Sequence, residues 1–250
     1  MDLVNLQPTT ESHAPRLVIY GPQGTGKSTF GASAPRPIFM DVEGGLDGLT
    51  VAKQRVQTWA DVLGMLKATL EQPHSFQTLT IDSADWIERI IHDAVCRTNK
   101  VSTITDIGYN KGFDQATDYW QVFTERLTEI REKRGMIIIV LAHEKVTRFD
   151  DPLGPGYDKY SLNLHKQSSP FLLEWADGIL FMKNKTVTTS EKGGFTGEIR
   201  KAQGMGVYMH AHESPAYIAK NRKLLSLPAE FPISKNDPWG DFVKQLGKGA

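Results

Sequence analysis

Residues 16–29 read RLVIYGPQGTGKST: a short apolar run, a glycine-rich loop, and the start of a helical pattern. Gly21, Gly26, Lys27 and Ser28 satisfy G-x-x-x-x-G-K-[ST]. The glycines let the backbone curl so that successive N–H groups point into one concavity. In such a loop the lysine reaches the β and γ phosphates of a nucleoside triphosphate, and the serine hydroxyl binds Mg²⁺. The cradle predicted here is Gly21, Pro22, Gln23, Gly24, Thr25, Gly26, Lys27, Ser28 and Thr29, with Thr29 nearest the α phosphate. An accidental glycine match is the bland alternative. It is disfavoured because the motif needs a strand before it and a helix after it, and both patterns are present. The loop thus predicts an α/β domain.

The rest of the chain fits that class. PRPIFMDVE and FQTLTIDS read as strands, and GMIIIVLAH is the continuous β-branched run expected of a central parallel strand buried on both faces. TWADVLGMLKATLEQ reads as a helix capped by Thr58, with Val62, Met65, Leu66 and Leu70 at helical spacing. DWIERIIHDAVC carries one apolar stripe, and a longer helix is expected over about 113–133. Glu144–Gln167 is rich in Asp, Gly, Pro, Tyr and Lys and reads as a long functional loop. A short helix, SSPFLLEWA, follows, and then two stretches that alternate and turn like β-hairpins. With 250 residues, one domain suffices: a flexible arm over 1–15, a nucleotide-binding core over 16–235, and a tail over 236–250 that forms a last helix.

Two carboxylates stand where phosphate chemistry needs them. Asp82 ends the strand TLTID and is expected to join Ser28 in holding Mg²⁺; the alternative is an N-cap for the next helix. Glu43 closes IFMDVE, at a strand end that faces the ligand crevice of a parallel sheet, with Asp41 two residues earlier. It reads either as the base that orients the attacking water or as a solvated loop acid.

FMDVEGGLD, TLTIDSADWI and YIAKNRK together resemble the RecA-type ATPases, and IIIVLAHEK lies where that superfamily carries a polar γ-phosphate sensor. His143 stands there in place of the usual glutamine. DIGYNKGF, LAHEKVTRFDDP and YDKYSLNLHKQSSPFLLEWAD extend the likeness from about residue 14 to about residue 232, to a phage family of core-only RecA-like nucleotide-binding proteins associated with single-strand annealing and recombination. The resemblance implies a RecA-like fold with ATP and Mg²⁺ as cofactors. It implies Glu43 as general base, His143 as sensor, and Lys220 and Arg222 as cations that reach the nucleotide of a neighbouring subunit. It further implies a homo-oligomer, ring or filament, that assembles on single-stranded DNA and hydrolyses ATP when assembled, with a single-strand DNA-binding protein as a further partner. DNA contacts are then expected from about Thr105–Asp114, through Tyr109 and Lys111, and from about Lys145–Ser168, through Lys145, Arg148, Phe149, Lys159, Tyr160, His165 and Lys166. A helicase subunit or loader, and a nucleotide-gated module with negligible hydrolysis, are the rival readings.

Composition bounds these expectations. Net charge is zero, but from Lys183 onward eleven Lys or Arg face six Asp or Glu, which allows a nucleic-acid surface without demanding one. Cys96 is the single cysteine, expected as a packed small hydrophobe. Trp86, Trp120 and Trp175 fall in helical patterns and read as core rather than base-stacking platforms. His210 and His212 share a strand side but lack the further ligands of a metal site. No apolar run approaches the ~20 residues that span a bilayer, and the N-terminus lacks a secretory pattern, so a cytoplasmic location is expected, the host's if the chain is phage-encoded.

Overall fold

The computed structural model describes the backbone of residues 13–152, 154–193 and 197–249, and side chains within these ranges outside 187–203. Strand β1 (Arg16–Gly21) enters the glycine loop, and helix α1 (Lys27–Ser33) leaves it. Then come β2 (Pro37–Asp41), β3 (Ala52–Arg55), α2 (Trp59–Glu71), β4 (Thr78–Asp82), α3 (Ala84–Asn99) and α4 (Lys111–Arg134). The second half holds β5 (Ile137–Phe149), β6 (Tyr157–Leu162), α5 (Ser169–Trp175), β7 (Gly178–Gly193), β8 (Gly197–His210), β9 (Lys220–Asn221), β10 (Glu230–Ile233) and α6 (Pro238–Val243).

The sheet runs β10-β8-β7-β1-β5-β4-β2-β3. From β3 to β7 every neighbouring pair is parallel, whereas β8 and β10 add antiparallel. This is the mainly parallel, helix-flanked sheet with C-terminal antiparallel strands that the sequence predicts.

Alternation along the strands builds two cores. Val18, Tyr20, Ile138 and Val140 face the side covered by α2 to α5, where Trp120 and Phe123 of α4 are fully buried. Leu17, Ile19, Ile139 and Leu141 face α1 and α6. The predicted tail helix packs into this second core: the Phe242 and Trp239 rings lie 5.7 and 5.5 Å from Phe30. Thr58 caps α2 as expected, accepting from the Asp61 N–H at 3.2 Å while the Asp61 carboxylate accepts from the Thr58 N–H. Cys96 is buried, and Trp120 is core. The predicted arm, apart from 13–15, lies outside the described residues.

Two elements differ from expectation. β3 went unread because its AKQR is wholly exposed and carries no apolar alternation. Glu144–Gln167 is not a loop: β5 runs on to Phe149 and pairs antiparallel with β6 from Glu144↔Leu162 to Phe149↔Tyr157. Outward-facing polar side chains along this hairpin left no apolar run to mark it as strand.

Candidate nucleotide site

The glycine loop is shaped by close approach. A Cβ on Gly21 would meet the Met182 carbonyl oxygen at 2.0 Å, so only glycine passes β7 here. Gly26 adopts φ 93°, a left-handed conformation that lets the chain turn into α1. Thr25 Oγ1 donates to the Pro22 carbonyl at 2.9 Å and ties the loop to itself. Lys27 Nζ donates to the Gly21 and Pro22 carbonyls at 2.7 and 2.8 Å, folded along the loop it serves. Burial lowers its pKa, against the pull of Glu144, Asp82, Asp85 and Glu43.

Sheet order decides what faces this loop. β5 lies between β1 and β4, so Gly21 pairs with His143 while Asp82 pairs with Leu141 and with Asp41. The C-terminal ends of four adjacent parallel strands therefore open on one crevice. Ser28 Oγ donates to Asp82 Oδ2 at 2.7 Å. Burial raises the Asp82 pKa, partly offset by that bond. Two hard oxygen donors beside a phosphate cradle suit Mg²⁺, which binds through one or two carboxylate or hydroxyl groups plus phosphates and water. The capping alternative for Asp82 is not seen: its carboxylate faces Ser28, and Ser83 holds the N-cap position of α3.

Glu43 lies two residues past β2, pinned because the Val42 and Glu43 N–H groups both donate to the Asp82 carbonyl at 2.9 and 3.1 Å. Its Oε2 is 3.4 Å from Ser83 Oγ and 3.9 Å from His143 Nε2. Asp41 has another task, pairing with Arg55 at 3.2 Å and accepting from the Gly44 N–H at 2.7 Å. A cavity of about 490 Å³ opens here, lined by Gln23, Glu43, Asp85, Trp86, Arg89, His143, Glu144 and Asn163. On the other side of the loop a cavity of about 260 Å³ is lined by Gly24, Thr25, Gly26 and Thr29 with Met182, Val207, Ile233, Ser234, Lys235 and Pro238. Sequence reasoning missed Asp85, Arg89 and the Ile233–Pro238 wall; none lies in a motif, and an acid in the first turn of a helix is ordinary.

The predicted trans-acting cations sit elsewhere. β9 pairs with Gly178 and Ile179, at the N-terminal start of β7, away from the glycine loop. There Lys220 Nζ donates to the Leu173 and Glu174 carbonyls at 2.6 and 2.9 Å, and Arg222 bonds Asp177 Oδ1 and the Glu174 carbonyl at 3.0 and 2.9 Å. The two cations share one side, as their alternation predicts, but neither touches the nucleotide crevice of its own chain.

The predicted DNA residues divide. Tyr109 is 97% exposed at a left-handed turn, and Phe149 is 44% exposed near the hairpin tip. Lys111, Arg148 and Lys166 are exposed, although Arg148 lies 3.8 and 3.9 Å from Asp150 and Asp158. The others already have partners within the chain. Lys145 Nζ donates to the Leu164 carbonyl, and Lys159 pairs with Glu213 at 2.7 Å. Tyr160 stacks on Phe181 at 5.1 Å, and His165 stacks on Phe113 at 3.9 Å while its backbone N–H donates to Glu88. Composition signalled a loop here but not the packing beneath it.

Among the described residues no group of three or more His, Cys, Asp or Glu side chains gathers to hold a metal, and no helix is long and apolar enough to cross a membrane. A family model described as an AAA domain matches residues 13–223. No curated protein matches. Among solved structures the chain is similar to the RadB recombinase, with a TM-score of 0.48 and 12% identity over 90% of each chain.

Proposed function

Because the chain belongs to the AAA domain family, we propose that it binds and hydrolyses ATP in a RecA-like manner, as an oligomer on single-stranded DNA that promotes annealing or recombination. The observation that carries the nucleotide reading is the Ser28–Asp82 bond at the mouth of the glycine loop, with Glu43 pinned to the same strand end. Bound there, Mg²⁺ would neutralise charge on the β and γ phosphates; Ser28 and Asp82 would hold it. Lys27 leaves the loop carbonyls for the phosphates. Glu43 accepts a proton from water, or orients it, on the polar side of the loop.

We orient the triphosphate by the linings of the two cavities. Its reacting end lies toward Glu43 and His143, in the polar cavity. The nucleoside leaves past Thr29 into the smaller cavity, where Met182, Val207, Ile233 and Pro238 offer apolar surface to a base. Competition between ATP and inorganic triphosphate tests this, because the extra affinity of ATP should fall in Met182→Ala and remain in Lys235→Ala if apolar contact dominates.

Head-to-tail stacking of subunits would build the shared site. The glycine loop and the Lys220–Arg222 pair lie toward opposite ends of the parallel strands, so a heterologous contact brings one chain's cations to the next chain's nucleotide. Such contacts generate rings or filaments. Lys220 and Arg222 must then exchange carbonyl and Asp177 partners for phosphate oxygens, which ties turnover to assembly. For the DNA, the exposed Tyr109, Lys111, Arg148, Phe149 and Lys166 supply stacking faces and cations without base-reading geometry. The decisive experiment is ATP turnover with and without single-stranded DNA across protein concentration. Rates that rise with both support the reading; a rate indifferent to both removes the assembly-coupled mechanism. A strand-displacement assay separates annealing from helicase work.

A further inference from the structure

His143 stands where β5 leaves the buried sheet, and one carboxylate grips it twice. The Asp85 oxygens lie 3.1 and 3.0 Å from His143 Nδ1, and Asp85 Oδ1 also accepts the His143 backbone N–H at 3.2 Å. Asp85 is 6% exposed, in the first turn of α3, and the ring is held with Nε2 3.9 Å from Glu43 Oε2. Asp85, Glu43 and His143 all line the polar cavity beside the glycine loop.

We propose that Asp85 is a positioning residue: it keeps the His143 proton on Nδ1 and aims Nε2 into the cavity, so that the imidazole and Glu43 act as one unit on the reacting end of the triphosphate. This rests on the nucleotide reading above. A carboxylate that accepts Nδ1–H fixes the tautomer and ring orientation, as carboxylates behind metal-bound and catalytic histidines do. The backbone bond fixes the strand end at the same time, so ring and Glu43 are set relative to β4, from which α3 starts and to which Glu43 is pinned.

The surroundings favour a positively charged ring. The hydrogen bond to Asp85 raises the His143 pKa against burial, with further support from the Asp85 and Glu43 charges and opposition from Lys27. Burial pushes Asp85 up, but the hydrogen bonds and charge of His143 outweigh it and hold Asp85 low. Glu144 and Arg89 complete the charged groups around the cavity. A protonated Nε2 would donate toward Glu43 or a phosphate oxygen.

Two readouts test this. In the nucleotide-free protein, the ¹⁵N signals of His143, assigned by their loss in His143→Gln, should show Nδ1 protonated and a titration midpoint that falls in Asp85→Asn. In turnover assays Asp85→Asn should lower kcat about 10- to 100-fold, the usual range for such supporting partners, while leaving ATP binding intact and moving the alkaline limb of the profile to lower pH. Asp85→Asn should cost little more once His143 is glutamine, because the two residues act through one ring. An unchanged His143 titration in Asp85→Asn, or losses that multiply in the double variant, overturns the proposal. Failure of wild-type protein to bind ATP would instead remove the nucleotide reading, while the NMR result still decides whether Asp85 holds the ring.

Discussion

The two ends of the parallel strands are charged in opposite ways. At the N-terminal end, buried Asp177 gathers Arg16 at 2.9 Å, Arg222 at 3.0 Å and Arg131 at 3.6 Å, and also accepts the Arg16 backbone N–H. Burial would raise its carboxyl, but Arg16 outweighs this and holds it low. At the C-terminal end, Asp82, Glu43, Asp85 and Glu144 surround Lys27, with His143 and Arg89 beside them; Asp41 pairs with Arg55, and Lys235 lines the smaller of two cavities that open here. Charge at the first end is used to join β1, β7, α4 and α5. Charge at the second end borders open space instead, with Glu43, Asp85 and Glu144 among the groups lining the polar cavity.

The comparison can be broken most sharply at Asp177. Asp177→Ala leaves buried arginines without their anion and should destabilise by about 3–5 kcal/mol, read by denaturant unfolding; a loss below 1 kcal/mol would mean that end is not held by charge. At the other end, Lys27→Ala should cut ATP turnover about 100- to 1000-fold while changing stability by no more than about 1 kcal/mol, roughly 2–4 °C in Tm. Normal turnover in that variant removes the phosphate assignment. Arg222→Ala joins the two ends: its pair is partly exposed, so stability should change by under about 1 kcal/mol, and ATP binding should persist. Turnover should nevertheless fall at least about tenfold at protein concentrations that allow assembly, because a neighbour's cation stabilises the transferring phosphoryl group. Unchanged turnover makes Arg222 a structural partner of Asp177 alone.

The smallest effect is in pH. His143 is raised, so its share of stability is complete below the unfolded value of about 6.5 and is lost as pH rises through the higher folded value. Asp85 is lowered, so its share is present above about 3.9 and is lost as pH falls through the lower folded value. The Tm difference between wild type and Asp85→Asn should therefore be greatest between about pH 4 and 6.5 and shrink toward pH 9. A difference constant across that range would mean the pair is not charged in the folded protein.

Much of this was legible without coordinates. The β5 run, the Thr58 cap and the α4 stripe each repeat a local rule, and the glycine loop announced both its strand and its helix. What misled was composition in the hairpin after His143, where exposed strands look like loop and where Tyr160 and His165, read as surface groups, pack against Phe181 and Phe113. The Lys220–Arg222 alternation was legible, but its place was not, because β9 is two residues long and pairs with β7 positions 41 and 43 residues earlier, Ile179 with Lys220 and Gly178 with Asn221.

The sequence by itself determined the glycine loop and the strand-end carboxylates, since φ, ψ and side-chain chemistry within some ten residues suffice to specify them. Only the tertiary structure decided which groups meet. Placing β5 between β1 and β4 brings His143 to Glu43 and Asp85, and pairing β9 with the start of β7 sends Lys220 and Arg222 to the far end. Strand order is a property of the whole packed sheet, chosen by how both faces are buried, and no single segment carries it.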